Sequence, residues 1–269
     1  MNSPDESVRE IGPAGANPAY EAIDGGDATR AIVFDTETTG IDPASDTVVE
    51  VAAVYVDLAT QSITGQRSTL VNPGNVAISP QARAAHHLTD AELADAPTRA
   101  EALQYVLADD TTNGLFMGVA HYAEFDSPFL PELKCPWLCT WKMAKRIWPE
   151  APAYGNQVLR YWLDLHPSLP HGMSPHRALY DALVTAEILL AALRTGRSPG
   201  RLLAGTMRPM LQQRITFGKH GPDRKVKGSV GLLWTEVPTG YLNYLMRDGI
   251  EDVDVAYTVG KELKRRGLA

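Results

Sequence analysis

The chain has 269 residues, of which 44% are hydrophobic, and it carries a formal net charge of −7. This length allows a full buried core and suggests one large domain plus something smaller. The negative charge argues against a broad, sequence-independent grip on duplex DNA, which requires a basic face. Any contact with nucleic acid must therefore be local.

Two features of the composition bear on compartment. No apolar run is long enough to span a bilayer, and the N-terminal residues lack the apolar stretch of a signal peptide, so we expect a cytoplasmic protein with no membrane contact. The only cysteines are Cys135 and Cys139. Two thiols without a second pair fit a reducing compartment better than a disulfide framework or a structural zinc site.

Composition divides the chain into four predicted parts. Residues 1–29 are rich in Gly, Pro, Ala and acidic residues without periodicity, which is typical of a disordered acidic leader. A large domain is predicted over 30–195, and residues 196–207 begin with the linker-like run Gly196-Arg-Ser-Pro-Gly200. A smaller module is expected over 208–269.

The pattern within the large domain predicts an α/β fold. Dense β-branched residues predict three consecutive antiparallel strands, over 31–35, 47–57 and 63–71. Short helices are expected over 81–87 and 90–94, then a longer helix that Thr98 caps. Next come a buried parallel strand over 114–120, a helix over 122–133, a strand near Trp137, helices over 140–147 and 155–165, and a long helix from Pro175. A meander followed by alternating helices and strands predicts a mixed sheet.

The stretch Ala31-Ile-Val-Phe-Asp-Thr-Glu-Thr-Thr-Gly40 holds the first candidate site residues. Asp35 and Glu37 are two places apart on a strand, so their side chains project from the same face. Two like charges at the end of an apolar strand are costly unless a cation lies between them, which indicates a divalent metal site. The alternative is a polar turn in which both carboxylates are simply solvated.

A third carboxylate follows the predicted parallel strand. Phe125 and Phe129 mark the apolar face of the next helix, and Asp126 falls on that face. A carboxylate turned toward a core needs a partner. The alternative for Asp126 is a capping role at the start of the helix.

The long helix carries the fourth carboxylate and a histidine. Asp181 lies in the middle of its apolar stripe, whereas Glu187 points away. His176 lies about 140° from Asp181 on a regular helix, so the two can share a site only if His176 is in the loop or at a frayed helix start. Otherwise His176 is a surface histidine. Four such carboxylates with a histidine nearby suit Mg²⁺ or Mn²⁺, which prefer oxygen ligands.

Three motifs resemble those of one enzyme family. They are Phe34-Asp-Thr-Glu-Thr-Thr-Gly40, His121-Tyr-Ala-Glu-Phe-Asp126 and His176-Arg-Ala-Leu-Tyr-Asp181. In order and spacing they resemble the motifs of the DEDDh (DnaQ-like) 3′→5′ exonucleases. Histidine stands five residues before the last aspartate, and Arg177 stands four before it, where the "y" branch of the family has tyrosine. The "h" branch is therefore indicated.

The resemblance implies a ribonuclease H-like fold, a mixed five-stranded sheet flanked by helices, over about residues 30–195, with a small C-terminal module. It implies that Asp35, Glu37 and Asp181 bind one metal ion, and that Asp35 bridges to a second ion held by Asp126. His176 would take a proton from the attacking water, a role that suits a side chain titrating near neutral pH.

The same resemblance implies residues that contact the substrate. His86-His-Leu-Thr89 resembles the family's His-Gly-Ile-Thr segment, with histidine in place of glycine, and Tyr122 stands where the family often has asparagine. The implied substrate-binding residues of the large domain are Thr38, Thr39, Gly40, Ile41, His86 and Tyr122. Stacking and shape would dominate there, so little sequence preference is expected.

The C-terminal part resembles the Phe-Gly-Lys module that follows the catalytic domain in exodeoxyribonuclease X-type enzymes. Six Arg or Lys and one Asp lie between Arg208 and Lys227. Among these, Lys219, Arg224, Lys225 and Lys227 are candidates for binding substrate phosphates. The alternatives are a solvated loop, or a module whose aromatic residues form a core that docks it on the catalytic domain or on a partner.

The expected function is a Mg²⁺- or Mn²⁺-dependent 3′→5′ exonuclease with two ions per site, which releases nucleoside 5′-monophosphates. DNA is favoured over RNA because of the C-terminal module. The alternatives are a 3′→5′ exoribonuclease of the same fold and an inactive exonuclease fold that serves as a binding subunit. The expected partner is nucleic acid with a free 3′ end, and a homodimer or a replication or repair partner stays open.

Overall fold

The computed structural model describes residues 29–108, 116–212, 214–215, 232–250 and 252–268. They belong to two units, one that ends at Met207 and one that begins at Arg208. The predicted leader lies outside the described residues except for residue 29. None of the described helices combines the length and the apolar composition needed to cross a membrane.

The first unit is built on one mixed sheet. Its five described strands are β1 (Arg30–Thr38), β2 (Val48–Asp57), β3 (Ser62–Leu70), β4 (Phe116–Ala120) and β5 (Trp137–Cys139). The order across the sheet is β3-β2-β1-β4-β5. Strands β1, β2 and β3 pair antiparallel, whereas β4 runs parallel to β1 and β5 runs parallel to β4. The predicted meander and mixed sheet are both confirmed.

Helices lie along this sheet in the order that the pattern predicted. They are α1 (Pro80–His86), α2 (Asp90–Leu93), α3 (Arg99–Val106), α4 (Ala123–Phe129), α5 (Thr140–Ile147), α6 (Asn156–Trp162), α7 (Ala178–Arg194) and α8 (Pro199–Met207). Thr98 caps α3 as predicted, because its side chain accepts the Glu101 N–H and Glu101 accepts the Thr98 N–H.

Alternation along β1 sends its apolar residues to two cores. Ala31 and Val33 lie in a core that includes most of α7, whereas Ile32 and Phe34 lie in a core with α3 and Phe129 of α4. The sheet is therefore covered on both faces. The next two residues of the α7-side face are Asp35 and Glu37, so the strand that fills the core also delivers the acidic pair.

Several helices differ from their predicted bounds, and α7 and α4 show the physical reasons. Helix α7 begins at Ala178, not at Pro175, because the Ala178 N–H donates to the carboxylate of Glu50, 3.1 Å away on β2. A distant side chain therefore caps the helix instead of the neighbouring Ser174. Helix α4 is also shorter than predicted and ends at Phe129, since the backbone of Leu130 leaves the helical region at φ −125°.

The predicted linker over 196–207 is wrong for most of its length. Residues 199–207 form α8, and its Leu202 and Leu203 are buried in the core that contains α7. The Ser198-Pro199-Gly200 run that looked like a linker is a helix start, because the Ser198 carbonyl accepts the Leu202 N–H and proline is favoured in the first turn. Helix α8 completes the first unit.

The second unit has a core of its own. Its described elements are a 3₁₀ turn (Trp234–Glu236), α9 (Thr239–Asp248) and α10 (Val253–Arg265). Trp234 and Tyr241 are buried together with residues of both helices, and Leu242 and Val259 lie at the centre. Two of the aromatic residues proposed to dock the module are therefore part of its internal packing.

We expect Leu203→Ala to lower the free energy of unfolding by about 2–5 kcal/mol, because it opens a cavity under α8. Arg201→Ala is the matched control, since Arg201 is exposed on the same helix, and it should change stability by less than about 0.5 kcal/mol. Urea unfolding of both variants measures the difference. An unchanged midpoint for Leu203→Ala would mean that α8 does not pack on this core.

Candidate active site

Three carboxylates from two elements meet at one face of the sheet. Asp35 and Glu37 come from β1, and Asp181 comes from the first turn of α7. One carboxylate oxygen from each residue lies within 4.8 Å of the others. The sequence argument that both acidic residues of β1 share a face, and that Asp181 turns inward, agrees with this geometry.

Asp126 lies beside this cluster and is tied to it through the backbone of β1. Its Oδ1 accepts the Thr36 N–H at 3.0 Å and the Thr36 hydroxyl at 2.8 Å. Thr36 is the residue between Asp35 and Glu37. Asp126 is buried, but it is not part of the group of three whose oxygens lie within 4.8 Å.

Two donors orient Asp181, and sequence reasoning identified neither. Its Oδ2 accepts the backbone N–H of His176 at 2.8 Å, and its Oδ1 accepts the side-chain amide of Gln157 at 3.1 Å. The adjacent Asn156 donates to the Asp181 carbonyl at 3.2 Å. These contacts link α6 to the start of α7, and the sequence carries no distinctive signal for either amide.

His176 lies in the loop before α7, which is the arrangement that the helix geometry required. Its backbone is left-handed, at φ 62°, and its side chain is exposed. The left-handed turn lets its N–H reach Asp181, which a continuous helix from Pro175 would not allow. The imidazole is therefore free to approach a substrate bound at the three carboxylates.

Arg177 and Glu50 form a second contact that the sequence reasoning missed. The guanidinium donates to both oxygens of Glu50, at 3.0 Å and 2.8 Å. Glu50 is 3% exposed and lies opposite Glu37 in the β1–β2 pairing. Arg177 stands where the "y" branch has tyrosine, and here its side chain is committed to Glu50.

Burial and mutual repulsion raise the pKa values of the acidic residues. Burial, followed by the charges of Asp126, Asp181 and Glu37, holds the pKa of Asp35 well above its usual range. Burial and the neighbouring Glu50 raise the pKa of Glu37 to about 8. Burial raises the pKa of Asp126 to about 7, although the Thr36 hydrogen bonds oppose this shift. Burial also raises the pKa of Asp181.

The turn after β1 presents an apolar side chain next to the carboxylates. Thr38 donates to the Gly40 carbonyl at 2.5 Å, and Thr39 donates to Asp46 at 2.9 Å. A Cβ on Gly40 would lie 2.4 Å from an oxygen of Asp46, so only glycine fits there. Ile41 follows at 85% exposure. The four predicted turn residues thus lie together, and Asp46 is a member that the sequence reasoning missed.

The other predicted substrate-binding residues of the large domain, His86 and Tyr122, differ in their exposure to solvent. His86 is 2% exposed, its Nδ1 accepts the Leu88 N–H at 2.9 Å, and burial lowers its pKa. Because its ring is buried, His86 offers no exposed surface on which a nucleotide could stack. His87 is left-handed at φ 61°, which explains the family's glycine at this position. Tyr122 is 47% exposed and immediately precedes α4.

The basic candidates of the C-terminal module lie outside the described residues. These are Lys219, Arg224, Lys225 and Lys227. Cys135 and Cys139 are buried and not disulfide-bonded, and burial raises the pKa of each to about 11.

Known proteins resemble this chain in sequence and fold. The exonuclease family of RNase T type matches residues 32–189, more than half of the chain. The chain belongs to this exonuclease family. Exodeoxyribonuclease 10 of Escherichia coli (strain K12) is 35% identical over 217 residues, which cover 80% of this chain and 90% of that enzyme. The DNA polymerase III subunit epsilon of Aquifex aeolicus (strain VF5) is 31% identical over 171 residues, which cover 60% of this chain and 79% of that subunit.

A solved structure extends the comparison. Exonuclease X in complex with 5′ overhanging duplex DNA superimposes on this exonuclease with a TM-score of 0.56 and 36% identity. The match covers 65% of this chain and 99% of that one. The resemblance to DEDDh exonucleases of the exodeoxyribonuclease X type and the ribonuclease H-like fold are thereby confirmed.

We expect the stability of the metal-free exonuclease to fall as pH rises from about 5 to 8.5. Carboxyls whose folded pKa is raised stabilise the fold while protonated, and this contribution is lost as pH rises through the folded values of about 7 and 8 for Asp126 and Glu37. Melting temperatures in EDTA measure the trend. Glu37→Gln should flatten it, and added Mn²⁺ should reverse it at pH 8.5. A pH-independent melting temperature would contradict the raised values.

Arg177 is expected to act as a positioning residue for His176 and Asp181. Arg177→Met should lower kcat by about 10-fold to 100-fold and displace the acid limb of the pH–rate profile, because it releases the loop that carries the base. Arg177→Lys should restore part of the rate. A variant that loses stability but keeps its kcat and its acid limb would assign the ion pair a structural role only.

Proposed function

We propose that this exonuclease hydrolyses DNA from the 3′ end and releases nucleoside 5′-monophosphates in a metal-dependent reaction. The observation that carries the proposal is the group of carboxylate oxygens from Asp35, Glu37 and Asp181 within 4.8 Å of one another. A preference for DNA is supported by the 35% identity to exodeoxyribonuclease 10 and by the similarity to Exonuclease X, whose solved complex contains DNA.

The donor set fits Mg²⁺ or Mn²⁺. All ligand atoms are carboxylate oxygens. Burial first, and the charges of neighbouring carboxylates second, raise the pKa values of Asp35 and Glu37, and a bound cation would offset both effects. We assign Asp35, Glu37 and Asp181 to one ion and Asp35 with Asp126 to a second. When bound, such ions stabilise the charge on the attacking and leaving oxygens of an in-line phosphoryl displacement.

The protein residues divide the remaining work. His176 takes a proton from the water whose oxygen attacks phosphorus, while the bond from phosphorus to the 3′-oxygen of the preceding nucleotide breaks. The products are a nucleoside 5′-monophosphate and a strand shortened by one residue with a new 3′-hydroxyl. The Thr38–Ile41 turn provides backbone contacts and the apolar edge of Ile41 for the terminal nucleotide, so shape dominates over base identity.

Two alternatives from the sequence are less well supported. An inactive binding subunit has no use for buried carboxylates that repel one another, since that repulsion lowers stability. An exoribonuclease would share the chemistry, but the relatives at 35% and 36% identity are deoxyribonuclease or DNA-bound proteins. Similarity to a polymerase III subunit supports a replication or repair partner. Sedimentation of the purified protein tests whether it forms a homodimer.

The test is digestion of matched 5′-labelled DNA and RNA oligonucleotides with Mg²⁺, with Mn²⁺ and with EDTA. We expect a ladder from the 3′ end on DNA, faster than on RNA, and no product in EDTA. Asp35→Ala, Glu37→Ala, Asp126→Ala and Asp181→Ala should each abolish most cleavage. His176→Gln should lower the rate by about 10² to 10⁴-fold and remove the acid limb of its pH profile.

Glu187→Ala is the matched control for Asp181→Ala, because Glu187 lies on the same helix and points away from the cluster. It should cleave like the wild type. Near-normal turnover in any of the four carboxylate variants would remove that residue from the site. A His176→Gln enzyme that kept both its rate and its acid limb would show that another group is the base.

A further inference from the structure

At the sheet edge where β1, β4 and β5 end lies a group of aromatic and lysine side chains that the proposed reaction does not use. Tyr122 and Trp141 contact each other edge to face, with ring centroids 5.5 Å apart. The Nζ of Lys145 lies 3.5 Å from the centroid of the Trp141 ring. We call Tyr122, Trp141 and Lys145 the aromatic platform.

The topology places the platform at the same sheet edge as the carboxylates. Strands β1, β4 and β5 are parallel neighbours, so their carboxyl ends lie along one edge. The acidic pair is at that end of β1, Tyr122 follows β4 by two residues, and Trp141 follows β5 by two residues. With neighbouring strands about 4.8 Å apart, β5 lies about 10 Å from β1. That distance is within reach of a strand bound at the carboxylates.

Tyr122 and Asp126 are held close to each other at the start of α4. They are four residues apart, about one helical turn, and the Tyr122 carbonyl accepts the Phe125 N–H at 2.8 Å. The backbone of Tyr122 is left-handed, at φ 73°. This conformation costs a bulky residue roughly 1–3 kcal/mol and tends to occur at functional sites. The result is an aromatic ring, 47% exposed, at the start of the helix that carries Asp126.

A polar network fixes the two strand ends that carry the platform. The two ring nitrogens of His121 contact the Thr140 hydroxyl and the Tyr154 carbonyl, each at 2.8 Å. The Ala120 carbonyl oxygen also lies 3.2 Å from the Thr140 hydroxyl oxygen, whose single proton serves only one of these two contacts at a time. Burial lowers the pKa of His121 to about 4, so it stays neutral. The platform is therefore preorganised and does not depend on a flexible loop.

The charge of the platform complements a phosphate backbone. The chain is acidic, with a net charge of −7, and the neighbouring carboxylates repel phosphates. Lys145 supplies positive charge beside them, and its Nζ lies over aromatic faces, 3.5 Å from Trp141 and 5.6 Å from Tyr154. An exposed ring, here that of Tyr122, next to a lysine is a combination that binds single-stranded nucleic acid, where bases stack and cations contact phosphates.

We propose that the aromatic platform binds the substrate strand on the 5′ side of the scissile phosphate. A base stacks on the exposed face of Tyr122 and the adjoining edge of Trp141, and Lys145 contacts the following phosphate. This subsite rests on the proposed exonuclease function and adds to it a preference for substrates several nucleotides long. The competing explanation is that the rings only pack α4 against α5.

The test compares a one-nucleotide substrate with a series of oligothymidylates from two to eight residues. The p-nitrophenyl ester of thymidine 5′-monophosphate reaches only the carboxylate site. Trp141→Leu and Tyr122→Leu should each raise KM for the longer oligonucleotides by about tenfold, the scale of one lost stacking contact. Trp141→Leu should leave kcat/KM on the ester within about twofold, and its effect on KM should appear only once the strand exceeds two or three residues.

Lys145→Met tests the phosphate contact separately. Its log KM should depend less steeply on log salt, by about one charge, whereas Lys145→Arg should keep the wild-type slope. Tyr105→Leu and Arg67→Met are the matched controls. Tyr105 has the same 47% exposure as Tyr122, and Arg67 lies 5.0 Å from its ring centroid. Arg67 is on β3, at the opposite edge of the sheet from β5, and Tyr105 is on α3. Neither control should alter KM.

Equal losses on the ester and on oligonucleotides, or no change on either, would overturn the proposal and assign the rings to packing. Thermal melts of each variant separate unfolding from lost binding. If the wild type cleaved no oligonucleotide, the proposed function would fail by itself. Fluorescence anisotropy of a labelled octathymidylate in EDTA would then decide the platform, which requires weaker binding by Trp141→Leu than by Tyr105→Leu.

Discussion

Repulsion among buried carboxylates is the constraint around which the first unit is organised. Asp35 and Glu37 share one face of β1, and Asp181 reaches them from α7. Asp126 accepts a hydrogen bond from the backbone of Thr36, the residue between Asp35 and Glu37. Each would be more stable in water. The structure offsets part of this cost with specific donors, Thr36 for Asp126, and Gln157 with the His176 backbone for Asp181. What is left uncompensated falls mainly on Asp35 and Glu37, and a cation is the economical way to remove it.

Glu50 and Glu37 show how neighbouring carboxylates acquire different tasks. They face each other across the β1–β2 pair. Glu50 receives the Arg177 guanidinium and the Ala178 N–H, so its charge is satisfied within the protein. Glu37 interacts with the Arg177 charge only at a distance. Burial and the charge of Glu50 raise the pKa of Glu37 to about 8. The satisfied carboxylate fixes the start of α7, and the unsatisfied one remains available as a ligand.

Local patterns predicted the elements and the acidic residues, but not the contacts that place them. Alternation along β1 and the stripe on α7 identify Asp35, Glu37 and Asp181 because both depend on the period of a single element. The predicted start of α7 was wrong because Glu50, 128 residues before Ala178 in the chain, caps the helix. Helix α8 was missed because linker composition and a proline-capped helix start use the same residues. Gln157 carries no sequence signal, since an amide near a helix start is ordinary.

The left-handed residues beside the site share a physical role. His176 and Tyr122 both have positive φ, at 62° and 73°, and each stands at the entrance of a helix that carries a carboxylate ligand. In that conformation the backbone of His176 bonds to Asp181 while its side chain turns outward. Tyr122 turns its ring to the surface one helical turn before Asp126. The strained backbone conformation therefore occurs where a helix holds a carboxylate inward and a second side chain turns outward. A regular helix start at either position would provide only the carboxylate.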